Sequence, residues 1–471
     1  MLKRTSILRH IVNHMGVAIA SKFVPLALIF IYSRFMTVQD YGVINLFMSY
    51  IWIFAIVMSL NLHTGIGRYI YSVDAEFDSF LGTTLLAIGT IYLAVVIAIL
   101  FNTDHFSLLL GLPRQLVFLM LVVVVGQIAE SLLTQVAIFN QHSSLLLKVV
   151  SIKAAATFLL SIGLLFVLSS EKYLAVVYAD AIASFSILIY FLVSLRTTVR
   201  WTFKMNHFRY LLNYSLPLIP YMLSLTLLSQ FDRVLIDRYF GKESTGLYSL
   251  AYNFGMLLLM VVTAVLNTFS PAFFAALNKK DYARVTNDSK NVFALAVVVS
   301  ALLVLFGQDF AALFAPAKYA SGFDLIPTVA IGGLCFVVFQ IWVRVIAYVN
   351  RTMLISIIAI VATVTNLTLN YWLLPIVGYK IAALTTVVAY LLMSLGCVAM
   401  LNYVVRLFRV NVLSEIIYIS ALVALTLFFQ NFELKTLLEN TLKLIVLAFI
   451  IWNLKDQLIE LVQSKKVSQT A

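Results

Sequence analysis

Apolar residues run along this chain in blocks about as long as a bilayer is thick, and polar residues are confined to the short gaps between them. A spanning helix needs about 20 mostly apolar residues. Charge-free runs cover 41–67, 79–103, 154–170, 210–231, 244–278, 291–308, 325–343, 352–379 and 381–405. Three further spans are each broken by one charge: the first by Lys22, the fourth by Glu130 and the sixth by Asp180. A final pair is read at 416–431 and 444–454, the last one short and flanked by Lys443 and Lys455, which would snorkel to the interfaces. The blocks show no period-two alternation and are too long for barrel strands. The expected fold is therefore all-α and polytopic, with about fourteen membrane helices.

Composition agrees with this reading. Hydrophobic residues make up 62% of the 471 and charged residues only 11%, whereas a soluble domain carries about 25% charge. The net charge of +12 would suggest nucleic acid in a soluble protein, but in a polytopic one it reflects the positive-inside bias of cytoplasmic loops, and no nucleic-acid partner is expected. With the N-terminus inside, 22 of the 32 Lys and Arg residues fall on the cytoplasmic side and 10 outside. That ratio predicts both termini in the cytoplasm. Asn13 and His14 interrupt the early apolar stretch, so no cleaved signal peptide is expected. The segment 196–209, with Trp201, Phe203 and Phe208 among its cations, reads either as a strip on the membrane surface or as an ordinary basic connector.

The chain also repeats itself. SRFMTVQDYGVINLF, from Ser33, aligns with DRYFGKESTGLYSLA, from Asp237. Arg34 meets Arg238 and Gly42 meets Gly246, both at an offset of 204. Six helices separate the two segments, so the halves share one orientation, as in transporters that place a cavity between parallel repeats. The expected organisation is a first half at 1–195, a connector at 196–210, a second half at 211–405, and a helix pair with its tail at 406–471. Pro25, Pro217 and Pro220 fall in the first helix of each half, where they would bend it.

YSLPLIPYMLSLTLLSQFDRVLIDRYFGKESTGLYSLAYNFG at 214–255 and TNLTLNYWLLPIVGYKIAALTTVVAY at 365–390 resemble the signatures of Wzx-type polysaccharide flippases. These flippases belong to the exporter superfamily that includes MATE multidrug exporters and lipid II flippases. Ile381 stands where the second signature usually carries another glycine. The resemblance implies an inner-membrane transporter that moves an undecaprenyl-diphosphate-linked oligosaccharide to the periplasmic leaflet. Its implied partners are that glycan, membrane lipid, and the polysaccharide polymerase with its chain-length machinery.

Ionisable groups inside a membrane are costly and mark function or pairing. The candidates for binding the diphosphate are Lys22, Arg68, Lys148, Lys153 and Arg344, in the spans or at their cytoplasmic ends, with Arg34, Arg233 and Arg238 at the periplasmic ends. Arginine would grip phosphate oxygens bidentately and lysine would act as a point charge. Snorkelling is the competing account for the end-located ones. Glu130 and Asp180 either pair with these cations or carry a proton or Na+ in an antiport cycle. Asp232–Arg233 and Asp237–Arg238 read as a rim salt-bridge network. No resident cofactor, metal or catalytic group is expected: His10 and His14 lack a third ligand, Cys335 and Cys397 sit in apolar runs, and no Walker A sequence occurs. Two other functions remain open, a drug or cation exporter of the same fold and a membrane polymerase or ligase. The deep charges are mainly basic, against the first, and no large external loop exists, against the second.

Overall fold

A computed structural model describes residues 27–69, 76–139, 143–196, 199–432 and 436–470, and every regular element among them is helical. In chain order the long helices are α1 (27–35), α2 (Val38–Ser59), α3 (Phe77–Phe101), α4 (Arg114–Phe139), α5 (Ser143–Val167), α6 (Tyr173–Leu195), α7 (Ile219–Gly255), α8 (Leu257–Asn278), α9 (Tyr282–Phe314), α10 (Leu325–Tyr348), α11 (Thr352–Val377), α12 (Ile381–Met400), α13 (Leu413–Asn431) and α14 (Thr436–Thr470). Twelve stretches among the described residues are long and apolar enough to cross a membrane. One of them, Met205–Asn278, is a 74-residue run that contains α7 and α8. The chain forms two compact units, Met1–Gly246 and Leu247–Ala471.

The first unit is built on α2, α3, α4 and α6, whose Phe47, Phe80, Leu116, Val124 and Val177 are fully buried together. The sequence repeat appears here as repeated geometry. α1 ends at residue 35, and α2 restarts behind Thr37, whose hydroxyl accepts from Asp40 N while Asp40 accepts from Thr37 N. That reciprocal capping box satisfies two otherwise orphaned donors. The equivalent of Thr37 is Gly241, and there α7 is broken, with φ 79° and ψ −178°. Only glycine adopts such a backbone without strain. Both repeats thus stop one helix and start the next at the same register.

The two restarts also cross each other. A Cβ on Gly42 would lie 1.9 Å from the carbonyl oxygen of Lys242, and one on Gly246 would lie 2.1 Å from that of Val38. Val38 and Lys242 are themselves 204 residues apart, so each glycine admits the carbonyl of the other repeat's matching residue. The aligned glycines are therefore the points where two backbones touch.

The prolines Pro217 and Pro220 lie in a helical run where the α-helical pattern gives way to a 3-10 turn, Leu216–Leu218, just ahead of α7, as their missing N–H groups require. Ahead of them, the short helix Met205–Ser215 buries His207, Leu211 and Ser215 along one stripe. The preceding segment is stapled to α3: Arg200 N donates to Asp78 O at 3.2 Å, and Thr83 Oγ1 donates to Thr202 O at 3.1 Å. Trp201 and Phe203 remain exposed. Just outside α3, Lys204 sits against Glu76 and holds that carboxyl below its usual range. The pair is largely open to solvent, and whatever it adds is present above the ordinary carboxylate pKa and lost in acid.

The second unit packs α9, α10 and α12 closely, with α10 buried along most of its length. Between α11 and α12 lies a buried polar ladder. Asn370 Nδ2 donates to Asn366 Oδ1 at 3.3 Å, Asn366 Nδ2 reaches Thr386 Oγ1 at 3.4 Å, and Thr385 donates to Asn370. Such bonds hold helices together where lipid supplies no hydrophobic drive. The last helix corrects the sequence reading. α14 is 35 residues long rather than short, and Lys443 does not snorkel: its side chain is 11% exposed, and it pairs with Glu439 at 2.7 Å and Asp309 of α9 at 3.6 Å. At the other end of the same helix pair, Glu460 accepts from Asn287 and Asn291 at 2.7 and 3.1 Å. Polar clamps therefore fasten α14 to α9 in antiparallel register, about 25 Å apart at 1.5 Å per residue.

Candidate functional site

In the first unit, three of the ionisable residues singled out in the sequence come together. Lys153 on α5 donates to Glu130 on α4 at 2.6 Å, with the two side chains only 15% and 20% exposed. Asp180, buried on α6, lies within the electrostatic reach of both. Tyr32, the α1 side chain that also senses Asp180, donates to Ser161 of α5 at 2.9 Å. Four helices thus converge on one ammonium and two carboxylates. Fully ionised, the three side chains sum to one negative charge that no further ion pair among the described residues balances. Of the two readings open in the sequence, the structure shows the pairing of Lys153 with Glu130. Tyr32 and Ser161 escaped the sequence reading because neither carries a charge.

A second group lies on and around α7. Arg233 is buried, and its guanidinium donates to Ser229 O at 2.7 Å and to Gln230 Oε1 at 3.2 Å; Ser49 of α2 donates to the same Gln230 oxygen. Asp232 is buried beside it, so this Asp-Arg step is interior and not on a rim. Asp237 pairs at 2.6 Å with Lys242, and Lys242 also donates to Gly111 O at 2.9 Å. Lys242 went unnoticed because it follows the helix break; its spacing of five from Asp237 brings it back only because Gly241 turns the chain. The repeat-related Arg34 and Arg238 are both exposed.

The other candidates stand apart. In the second unit, Arg344 of α10 donates to Leu266 O at 2.7 Å and to Ser270 Oγ at 2.8 Å, immediately before Pro271 in α8. Leu266 O also accepts from Ser270 Oγ at 2.9 Å, so the arginine adds a further donor to that carbonyl. Arg344→Met should therefore lower the melting temperature of the purified protein, at a cost of about 1.5–3 kcal/mol for the lost hydrogen bonds from a charged donor; an unchanged transition would show that the contact is idle. Lys148 is exposed at the start of α5, and Arg68 lies on the short helix Ile66–Tyr69. Lys22, Pro25 and the histidines at 10 and 14 lie outside the described residues. Among the described residues no three His, Cys, Asp or Glu side chains gather as a metal site.

A family of polysaccharide biosynthesis proteins matches residues 31–285, more than half of the chain. The chain belongs to this family. Protein 1 of the Lsg locus of Haemophilus influenzae is 24% identical over 273 residues; the alignment spans 56% of this chain and 64% of that protein. The fold is shared with the lipid II flippase MurJ in its inward closed conformation, with a TM-score of 0.72 at 14% identity over 96% of this chain and all of the other. It is shared also with an outward-facing MATE multidrug resistance transporter of the MOP superfamily, with a TM-score of 0.58 at 15% identity over 89% and 97%. A MOP superfamily transporter from Pyrococcus furiosus gives 0.58 at 15% identity over 89% and 96%. This member of the polysaccharide biosynthesis family is thus a multi-pass membrane protein with the MurJ and MATE fold.

Proposed function

We propose that this protein is a flippase that carries an undecaprenyl-diphosphate-linked oligosaccharide from the cytoplasmic to the periplasmic leaflet of the inner membrane by alternating access, with both termini in the cytoplasm. The observation that carries the reading is the family match over 31–285 in a chain with the fold of a lipid II flippase. The substrate supplies the chemical rationale. Its diphosphate and glycan need a wet, cationic path, while the polyprenyl tail stays in lipid. The basic candidates for that path are Lys22, Arg34, Arg68, Lys148, Lys153, Arg233, Arg238 and Arg344. The Glu130–Lys153–Asp180 cluster is the proposed site where a proton or Na+ drives the cycle, since an ion that balances its negative charge would favour one conformation over another.

Deletion tests the reading. The expected result is a lipid-linked oligosaccharide of normal structure that accumulates on the cytoplasmic leaflet and is cleared when the full chain is restored. Complete units found unpolymerised on the periplasmic leaflet would overturn it. Collapse of the proton or the sodium gradient in vesicles then identifies the coupling ion.

A further inference from the structure

The chain between α6 and α7 leaves an aromatic and cationic surface beside the start of a spanning helix. From residue 199 it runs without regular structure to Lys204, which is extended at φ −109° and ψ 120°, and then enters the short helix Met205–Ser215. Three hydrogen bonds fix it to the first turns of α3: Arg200 N donates to Asp78 O at 3.2 Å, Thr83 Oγ1 to Thr202 O at 3.1 Å, and Lys204 N to Thr83 Oγ1 at 3.1 Å. Gly82 admits this close approach, since a Cβ there would lie 1.9 Å from the carbonyl oxygen of Arg200. Trp201 and Phe203 are left 57% and 50% exposed, and Phe203 leans on Phe208 at 5.4 Å. Both lie outside every stretch among the described residues that is long and apolar enough to cross a membrane. Their depth follows from the hydrogen bonds to α3. That helix has 25 residues, about 37 Å at 1.5 Å per residue, against a hydrocarbon core of about 30 Å, so its first turns reach the headgroup layer. A strip fixed to those turns presents its side chains there too.

The charge at the strip has a definite sign. With histidine neutral, Arg196 at the end of α6, Arg200, Lys204 and Arg209 stand against Glu76 and Asp78, four positive charges against two negative among the described residues. Lys204 is taken by Glu76, while Arg196, Arg200 and Arg209 are exposed and form no ion pair among the described residues. Indole rings favour the membrane interface, where the apolar body meets carbon and the N–H meets water and headgroups. Guanidinium groups at the same level grip phosphate oxygens bidentately, and an anionic leaflet attracts them. We propose that residues 199–209 together with Arg196 form a docking surface for anionic phospholipid headgroups, with Trp201 and Phe203 seated among the headgroups and Arg196, Arg200 and Arg209 as phosphate contacts. Docking there fixes the depth of the chain that leads into α7. It takes from the translocation reading only the side of the membrane, and does not depend on what is carried.

A spin label on full-length Thr202→Cys tests this, since the substitution keeps both aromatic rings and every cation of the strip, and Cys335 and Cys397 are buried. The protein is placed in nanodiscs of phosphatidylcholine or of an equimolar mixture with phosphatidylglycerol, and the accessibility of the label to an uncharged, water-soluble nickel chelate is measured. Both faces of a disc carry the same lipid and no transport is read, so a failure here is distinct from a failure of the translocation reading. Accessibility should fall at least about fivefold in the mixed lipid, the equivalent of one cation at an anionic surface. Arg196→Gln/Arg200→Gln/Arg209→Gln should abolish the difference between the two lipids and leave the melting temperature in neutral detergent unchanged. Lys279→Gln/Lys280→Gln/Lys290→Gln, which removes three exposed cations elsewhere, should preserve the difference. Trp201→Ser should raise accessibility in both lipids. Equal accessibility in the two lipids, or equal losses in the two triple variants, would overturn the proposal. So would a label already shielded in detergent, which would mark cover by this chain or by a second copy.

Discussion

Replacing Lys153 with methionine is expected to remove most of the folded protein from the membrane. The substitution leaves Glu130 without its ammonium partner and removes the cation nearest to Asp180 among the described residues. Breaking a buried ion pair by deleting one partner costs about 3–5 kcal/mol, because the remaining charge stays in a low-dielectric setting without compensation. The same principle supplies the control. Removing both partners, in Lys153→Met/Glu130→Leu, should return much of the stability, since apolar side chains of similar volume replace the pair at little cost. Melting of the purified proteins reads the first effect, and transport by the rescued double variant reads the second. Recovered folding with no transport assigns the charges to the cycle; recovered folding with full transport reduces them to a structural pair. A single variant as stable as the parent would remove the structural role, and one that also transports fully would remove the cluster from both.

Gly42→Ala and Gly246→Ala should each be as severe, for a steric reason. The new methyl would sit 1.9 or 2.1 Å from a backbone carbonyl oxygen, and a carbonyl cannot rotate away as a side chain does. The helices at the crossing would have to separate, so the cost should reach or exceed the roughly 1–3 kcal/mol of ordinary overpacking. The reciprocal geometry adds that the two variants should be impaired alike. Gly163 on α5 is the control, because a Cβ there meets nothing within 4 Å. Gly163→Ala should be neutral or slightly stabilising, since alanine is favoured over glycine in a helix by up to about 1 kcal/mol. Yield and monodispersity of the detergent-solubilised protein measure all three. If Gly42→Ala behaves like Gly163→Ala, the backbones are not in contact.

Much of this was legible in the residues. The positions of the spans, the all-helical class and the repeat at offset 204 follow from local pattern, because a bilayer demands long apolar runs and a repeat preserves spacing. Glu130, Lys153 and Asp180 stood out individually, since a charge in such a run is conspicuous. Their convergence did not, because nothing in sequence spacing tells which faces of α4, α5 and α6 meet. Lys443 shows the opposite failure. At a helix end it resembled a snorkelling lysine, and only Asp309, 134 residues upstream on α9, reveals it as a clamp.

Local chemistry alone thus determined that the chain spans a membrane many times, that two of its segments repeat at an offset of 204, and which side chains are electrostatically out of place. Tertiary structure decided what those side chains do. It paired Lys153 with Glu130, put Arg344 on the Leu266 carbonyl of α8, and set Lys443 against Asp309 of α9. The division has a physical reason. Partitioning into lipid acts on each residue where it stands, whereas a charge within a helix bundle is compensated by whichever group packing brings within about 4 Å of it.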